Sequence, residues 1–297
     1  MNGYNPIPPS IPKKMNTKPY HAQIIDYYNR SQIDYELIWH LNTHHCMHYG
    51  YWEKGTRKLR DALVNMTEKV AEYGQIREGQ TIADLGCGVG GPAIHLSRKY
   101  NTQVFGISLS EMQIKQAQKL AQAQAASDAR FVVGDYCQTG FKEGSFDLAY
   151  AIESSCYAEN KESLLNETAR ILHNNGKLIV MDFFWTGAEK DPKDREIMKK
   201  WTDSWAIADY AYETDFEESL RKSGFSKFQK YNCNIQVWPS VKRLYNCYYP
   251  GVICDFILRS VGLRDKILTL NMQSALYQYI TFRRGLWNYN IYCAEKS

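Results

Sequence analysis

The segment Ala83–Pro92 combines an acidic side chain with a glycine-rich turn. It contains the residues Ala-Asp-Leu-Gly-Cys-Gly-Val-Gly-Gly-Pro and lies between a short apolar run and a segment with helical spacing. Glycines let the chain turn tightly and let a ligand approach the backbone. Pro92 suits the first turn of a helix, where its missing N–H costs nothing. The pattern predicts a strand–turn–helix unit that binds a nucleotide-like cofactor.

The glycine spacing alone does not identify that cofactor. Gly86, Gly88 and Gly91 satisfy the G-x-G-x-x-G pattern of dinucleotide sites. A NAD site needs an acid at the tip of the second strand, but Ser-Leu-Ser follows the predicted second strand, Gln103–Ile107. Instead, Asp84 precedes the first glycine, where a carboxylate can accept from an ammonium group or from the amides of the turn. S-adenosylmethionine (SAM), a nucleoside that carries an amino acid, fits this arrangement better than a pyrophosphate.

Strand and helix patterns alternate along the chain. Strands are predicted at Thr81–Leu85, Gln103–Ile107, Arg130–Val133, Phe146–Ala151 and Lys177–Asp182. Helices are predicted between them at Pro92–Tyr100, Glu111–Ala126 and Lys161–His173. This alternation favours an α/β fold with a parallel sheet, whose ligands bind beyond the carboxyl ends of the strands. The rule predicts that several strand-tip residues are neighbours in space: Asp84 to Gly91, Ser108, Asp135, Glu153 and Asp182.

Motifs in this order resemble class I SAM-dependent methyltransferases, in particular the sterol, tocopherol and cyclopropane-fatty-acid group. The resemblance covers Leu59 to Phe183, and it depends on Asp84–Pro92, Gly106–Gln113, Gly134–Tyr136, Phe146–Ala149, Glu153–Ser154, Arg170–Leu172 and Gly176–Leu178. It implies a Rossmann-like, doubly wound sheet of seven strands with the last strand antiparallel, and SAM as the cofactor.

The resemblance also implies how SAM is held. The first glycines would face its methionine part, polar side chains after the second strand would reach the ribose, and an acid after the third strand would accept from the adenine amino group. The predicted cofactor contacts are Tyr49, Asp84, Gly86, Gly88, Ser108, Gln113, Asp135 and Tyr136.

Structural roles compete with three of these assignments. Ser110 and Gln113 form an S-x-x-Q capping box, and Ser108 forms another with Glu111. Either pair can simply start the helix that follows. Asp135 could also be an ordinary turn aspartate, although its place after a buried-looking strand favours the site role.

Composition narrows the class of protein. A chain of 297 residues is long enough for one large domain. Its net charge is +4, and the charged residues are scattered along the chain. Nucleic-acid-binding proteins instead carry clustered basic residues, so the charge does not favour that class. The eight cysteines form no C-x-x-C pair, which indicates reduced thiols in a cytoplasmic protein. No stretch is apolar enough to span a bilayer, and we expect no secretory leader. A homodimer is compatible with the sequence.

Prolines predict a mobile arm over residues 1–19. A single methyltransferase domain is predicted over residues 20–297. It comprises a cap segment (20–55), a SAM-binding core (56–183), and a substrate lid with the last strands (184–297). Within the cap, helices are predicted at Tyr20–Tyr28 and Ile33–His40.

Histidines recur every four residues in the cap, at His40, His44 and His48. They would share a helical face, and that spacing can bind a metal. No acidic residue completes the set, however, and methyl transfer from SAM needs no metal, so we predict no metal site. The resemblance gives another account, because the related enzymes carry an aromatic, His-containing segment that closes over SAM and lines the acceptor pocket. His48–Trp52 is similar to the end of that segment.

The last two strands are predicted at Phe225–Asn232 and Asn288–Ala294, with an aromatic-rich connection from Cys233 to Trp287. Such a long connection is usually functional, so we predict a helical lid over the acceptor. The segment Asp191–Tyr212 would add another wall. An alternative is that these aromatics build a small core or a dimer face. The predicted acceptor contacts are Trp39, His44, Tyr51, Trp185, Trp205 and Tyr248.

Glu153, at the tip of the fourth strand, is the predicted catalytic base. Burial among aromatic side chains would raise its pKa and make it a better base. Its alternative role is that of a capping glutamate, and His45 and His48 are alternative bases.

The 22 Tyr, 11 Phe and 7 Trp suit an apolar acceptor, and ring faces also attract a carbocation. We therefore predict methyl transfer to a lipophilic small molecule, with C-methylation of an isoprenoid or sterol-like acceptor. The alternative is O- or N-methylation of an aromatic or amine natural product. A nucleic-acid methyltransferase is disfavoured, because the strand-four tip lacks an Asn/Asp-Pro-Pro-aromatic motif.

Overall fold

The computed structural model describes residues 18–297. Seven strands form one sheet: β1 Thr81–Leu85, β2 Gln103–Ser108, β3 Ala129–Val133, β4 Phe146–Ile152, β5 Leu172–Trp185, β6 Lys227–Asn232 and β7 Trp287–Glu295. Ten helices of the described residues surround it: α1 Pro19–Ile38, α2 Leu41–His44, α3 Leu59–Gly74, α4 Gly91–Tyr100, α5 Glu111–Ala123, α6 Lys161–Ile171, α7 Pro192–Ser204, α8 Glu213–Lys222, α9 Asn234–Ser260 and α10 Lys266–Arg283.

The strands lie in the order β3-β2-β1-β4-β5-β7-β6. Strands β1 to β5 are parallel, whereas β7 lies between β5 and β6 and runs antiparallel to both. This arrangement confirms the predicted α/β fold, with a doubly wound sheet, an antiparallel last strand, a helical N-terminal segment and a helical insertion before β7. It also places the carboxyl ends of β1, β2 and β4 at one edge of the sheet, where ligands bind in such folds.

Apolar side chains cover both faces of the sheet. Along β1, Ile82 packs into one buried layer and Ala83 into the other, and Val104 and Phe105 repeat this alternation on β2. Strands buried on both faces are typical of parallel sheets covered by helices. Among residues 18–297, no helix combines the length and the hydropathy that a membrane span requires.

The cap differs from its prediction. One continuous helix, α1, replaces the two predicted helices, and Pro19 is its first residue. The predicted arm, residues 1–19, otherwise lies outside the described residues except for Lys18. His40 and His45 adopt left-handed backbone conformations, with φ of 52° and 56°, so α2 has only four residues. The predicted helical face of His40, His44 and His48 therefore does not form.

Two predicted helix ends were also wrong. The chain leaves α6 at Ile171 rather than His173, because the fully buried Leu172 pairs with Phe146 and starts β5 five residues early. Helix α5 ends at Ala123 rather than Ala126. The left-handed Ala125, with φ of 53°, turns the chain toward β3.

Candidate active site

The glycine turn connects β1 to α4 in left-handed conformations that favour glycine. The φ angles of Gly86 and Gly88 are 103° and 52°. A Cβ on Gly86 would overlap the side chain of Ser154 at the tip of β4, and a Cβ on Gly88 would lie 2.7 Å from Cε of Met47. The turn is therefore packed between β4 and the cap, and its left-handed backbone favours glycine at both positions.

Asp84 lies buried at the end of β1, with 3 % of its surface exposed. The hydroxyl of Tyr150 donates to its Oδ2 atom over 2.7 Å. Burial raises the pKa of Asp84 to about 7, although the hydrogen bond from Tyr150 acts in the opposite direction. A cationic group bound beside Asp84 would favour its carboxylate form.

Ser108 and Gln113 are joined by a hydrogen bond of 2.8 Å from the serine hydroxyl to Oε1 of the glutamine. Ser110 caps α5 by accepting from the Gln113 amide, as one of the capping boxes predicts. The glutamine side chain does not complete that box, because the Ser110 amide donates to Ser108 Oγ instead. The Gln113 side chain also lines a cavity. The two protons of its side-chain amide take no part in the hydrogen bond with Ser108, which ends at Oε1.

Asp135 acts in the turn after β3. Its Oδ1 atom accepts from the amide of Cys137 over 2.8 Å, and its Oδ2 atom lies 3.7 Å from Nε2 of His21 on α1. The first contact is the turn role considered from the sequence. Its neighbour Tyr136 points toward the cavity and donates to the carbonyl of Ser154 over 2.7 Å.

Glu153 follows β4 in a left-handed conformation with φ of 49°, which is costly for a non-glycine residue and is typical of functional sites. Its Oε1 atom accepts from the amide of Tyr49 over 2.7 Å and from the hydroxyl of Tyr289 over 2.9 Å. Burial, followed by the nearby Asp182, raises the pKa of Glu153, while the two hydrogen bonds act in the opposite direction. Both bonds fall on Oε1, and the side chain borders the cavity.

His48 is 4 % exposed and lies beside Glu153 on the cavity wall. Its Nδ1 atom lies 2.8 Å from the carbonyl oxygen of Tyr49. A carbonyl only accepts, so Nδ1 carries the proton and Nε2 presents a lone pair. This Nε2 atom is buried and has no hydrogen-bond partner among the described residues. Burial lowers the pKa of His48 to about 4, so the ring is neutral at pH 7.

These side chains meet at one cavity, here called the glycine-turn cavity. Nine predicted site residues line it: His45, His48, Asp84, Gly86, Gly88, Ser108, Gln113, Tyr136 and Glu153. The lining does not include Asp135 or Tyr49. Asp182 lies fully buried nearby, where it accepts from Ser155, Cys156 and the Phe183 amide, so its role is structural.

A second cavity of about 420 Å³ lies between α1, α9 and α10, and we call it the helical cavity. Three predicted acceptor residues line it: Trp39, Trp205 and Tyr248. Tyrosines separate the two cavities. The ring of Tyr28, on the glycine-turn side, stacks at 6.0 Å on that of Tyr35, on the helical side.

The other three predicted acceptor residues lie away from both cavities. His44 lies in a surface cleft with Arg60. The ring of Tyr51 faces the ammonium group of Lys69. Trp185 stacks on Tyr212. Among residues 18–297, no cluster of three or more His, Cys, Asp or Glu side chains could hold a metal.

Two residues of the site were not predicted. Tyr28 lies on α1, whose aromatic residues showed no clear helical stripe in the sequence. Tyr289 lies on β7, and its position opposite Phe183 of β5 brings it to Glu153. The only sequence signal for that contact was the predicted strand at the end of the chain.

Residues 83–180 match a family model described as a methyltransferase domain. Residues 83–180 therefore carry the sequence pattern of a methyltransferase domain. Over 232 residues, the chain is 26 % identical to a probable tocopherol O-methyltransferase, chloroplastic, from Oryza sativa subsp. japonica, covering 72 % of this chain and 63 % of that protein. It is 30 % identical to a sterol 24-C-methyltransferase from Pneumocystis carinii over 177 residues, which are 58 % of this chain and 45 % of that protein. The chain thus spans less than two thirds of either relative.

The fold of this chain is also found in a solved structure of a geranyl diphosphate C-methyltransferase from Streptomyces coelicolor A3(2), in complex with Mg2+, geranyl-S-thiolodiphosphate and S-adenosyl-L-homocysteine. The TM-score is 0.75 at 17 % identity, and the match covers 96 % of this chain and all of that chain. These findings confirm the resemblance to class I SAM-dependent methyltransferases and to their prenyl-lipid group.

Proposed function

We propose that this protein transfers a methyl group from SAM to a lipophilic small molecule, and that it methylates carbon in an isoprenoid or sterol-like acceptor. The observation that carries the proposal is the position of Glu153. It lies at the tip of β4, borders the glycine-turn cavity and is surrounded by Tyr49, Phe183 and Tyr289, whose rings contact one another.

The glycine-turn cavity fits SAM in chemistry, because its lining combines glycines, a buried carboxyl group and amide and phenol side chains. The glycines leave room beside the backbone, and the buried carboxyl of Asp84 suits an ammonium group. Gln113 would donate to ribose oxygens, and Tyr136 would lie against the adenine. Tyr49 would act through Glu153, since its amide holds that carboxylate.

SAM, when bound, supplies a methyl group activated by a sulfonium ion. The nearby positive charge would favour the carboxylate form of Glu153, whose pKa burial otherwise raises. Methylation of an alkene carbon leaves a cation, which then loses a proton from a neighbouring carbon. Glu153 would accept that proton, and the ring faces around it would stabilise the positive charge before the proton leaves.

The helical cavity suits the apolar part of the acceptor. Its wall includes Trp39, Leu244 and Ala275, and the ring of Trp39 stacks at 5.9 Å on Tyr49, the neighbour of Glu153. An acceptor whose reactive end reaches Glu153 and whose tail lies in this cavity must displace the rings of Tyr28 and Tyr35. The relatives named as sterol and tocopherol methyltransferases support an acceptor of this lipophilic kind.

O- or N-methylation is the second candidate, and His48 favours it. Its unpartnered Nε2 atom can accept the proton of a hydroxyl or amine that borders the glycine-turn cavity. The relative named a probable tocopherol O-methyltransferase also supports O-methylation. His45 also borders this cavity and is a further candidate base.

We also infer a cytoplasmic protein whose partners are small molecules rather than nucleic acids. All eight cysteines are free thiols, which is typical of a reducing compartment. The weak, scattered positive charge gives no basic surface for a nucleic acid.

The decisive experiment measures the transfer of labelled methyl groups from SAM to a panel of isoprenoid alkenes, phenols and amines. Calorimetry with SAM and S-adenosylhomocysteine provides a separate measure of cofactor binding. The first proposal predicts a product methylated at carbon from an isoprenoid. A product methylated only at oxygen or nitrogen would favour the second. Absence of SAM binding would overturn both.

A further inference from the structure

The C-terminal half of α9 and the loop after it expose an apolar surface. Seven side chains there are at least 40 % exposed: Tyr249, Val252, Ile253, Phe256, Ile257, Val261 and Leu263. Ile33 and Leu37 of α1 extend this surface, which we call the α9 patch. These nine residues are most of the twelve large apolar side chains that are exposed between residues 18 and 297. Such a concentration marks an interaction surface rather than scattered exposure.

The α9 patch surrounds an opening of the helical cavity. Leu37 belongs to the patch and also lines the cavity. Pro250 and Cys254 line the cavity too, and both are exposed on the same helix. Because exposed residues form part of the cavity wall, the cavity opens to the outside among the apolar side chains of the patch.

Two exposed cations, Arg259 and Lys266, lie at the border of the patch. The nearby aspartates all have a cationic partner, because Asp34 and Asp255 share Arg264, and Asp26 and Asp265 share Arg30. An apolar face with cations at its edge is typical of segments that lie on an anionic lipid surface.

Two further tyrosines, Tyr245 and Tyr279, continue from Tyr249 of the patch. Tyr245 and Tyr249 share a hydrogen bond of 2.8 Å between their hydroxyls, and Tyr245 stacks on Tyr279 with ring centroids 3.9 Å apart. Tyrosine rings concentrate at membrane–water boundaries, because one end is apolar and the other is polar.

A second copy of this chain fits the patch less well. Two identical patches would meet in a symmetric dimer. Arg259 and Lys266 of both copies would then be gathered around one interface, and bringing like charges together is unfavourable. A lipid surface with negative headgroups has no such conflict.

We propose that the α9 patch docks on an anionic lipid bilayer and opens the helical cavity directly to the lipid phase. The proposal extends the proposed function, since a lipophilic acceptor would then enter from the bilayer without crossing water. Docking itself depends only on the patch.

The test is flotation of the full chain with phosphatidylcholine vesicles that do or do not contain phosphatidylserine. The variant Ile253→Asp/Phe256→Asp places two charges in the patch. The matched control is Ile235→Asp, because Ile235 is 83 % exposed on the same helix but lies 18 residues from Ile253, about 27 Å along the helix. We expect the wild type to float with phosphatidylserine vesicles. The double variant should bind roughly tenfold more weakly or worse, and the control should bind as the wild type does.

Three results would overturn the proposal: no flotation of the wild type, equal loss in the control, or a wild-type dimer that the double variant converts to monomer in light scattering. Calorimetry with SAM on the same proteins distinguishes a failure of lipid docking from a failure of the proposed methyl transfer. Normal SAM binding without flotation would refute docking alone, and flotation without SAM binding would refute methyl transfer alone. Thermal unfolding verifies that the double variant folds.

Discussion

The hydroxyl of Tyr289 on β7 donates to Oε1 of Glu153 at the tip of β4, over 2.9 Å. The same oxygen accepts the amide of Tyr49, so the last strand and the cap together hold one carboxylate. Strand β7 reaches this point because it pairs with β5, which is the neighbour of β4. The antiparallel end of the sheet therefore contributes directly to the candidate active site.

Replacement of Glu153 by glutamine should abolish most turnover and preserve SAM binding. Glutamine keeps an oxygen that can accept from Tyr49 and Tyr289, but it cannot take a proton. General bases contribute roughly 10²- to 10⁴-fold to rate, and we expect a loss in that range in single-turnover assays. Calorimetry should give a SAM affinity within about fivefold of the wild type, since the interaction lost with the negative charge is worth about 1 kcal/mol. Unchanged turnover would remove Glu153 from the chemistry.

The variant Tyr289→Phe should shift the pH dependence of the reaction. The Tyr289 hydroxyl lowers the pKa of Glu153, so its removal raises that pKa and moves the acidic limb of the rate profile to higher pH. Near neutral pH, turnover should fall about fivefold, which corresponds to a lost hydrogen bond of about 1 kcal/mol.

The matched control for this shift is Tyr292→Phe. Tyr292 lies on the same strand but packs into the opposite layer, with Phe184 and Phe216. Removal of the Tyr292 hydroxyl should leave the pH dependence of the rate unchanged. A purely structural role for Tyr289 would lower the rate equally at all pH values, without moving the limb.

Local patterns predicted the sheet well because its strands are short, apolar and buried on both faces. β1 was predicted at its observed bounds, and the end of β4 was predicted within one residue, which placed Glu153 correctly. The partners of Glu153 are 104 and 136 residues away. Their contacts depend on how the cap folds and on the pairing of β7 with β5. Helical spacing also could not reveal the left-handed turns at His40 and His45, which break the histidine face.

Asp84 should make stability depend on pH. Its pKa is about 7 in the folded protein and about 3.9 when unfolded. Between these values the folded state binds more protons than the unfolded state, so the contribution of Asp84 to stability is present below pH 4 and is lost as pH rises through 7. The full change in the free energy of unfolding is up to about 4 kcal/mol, because a tenfold change in proton affinity corresponds to about 1.36 kcal/mol.

The variant Asp84→Asn isolates that contribution, because asparagine can still accept from Tyr150 but does not titrate. Urea unfolding should show that the variant is more stable than the wild type above pH 7 and that the difference shrinks toward pH 4. A difference that does not vary with pH would contradict the raised pKa. SAM binding should weaken in the variant if the carboxylate holds the ammonium group.

The glycine turn can be tested by comparing two alanine substitutions with similar backbone strain. Gly86 and Gly79 both have left-handed φ angles, 103° and 81°, but no atom lies within 4 Å of a Cβ built on Gly79, whereas a Cβ on Gly86 would overlap Ser154. Both variants should lose about 1 kcal/mol to backbone strain. Gly86→Ala should lose roughly 1–3 kcal/mol more because its methyl group overpacks the turn. It should also weaken SAM binding in calorimetry, while Gly79→Ala should not. Equal losses of stability and equal SAM affinities would show that Gly86 serves only the backbone conformation and not the close packing of the turn against β4.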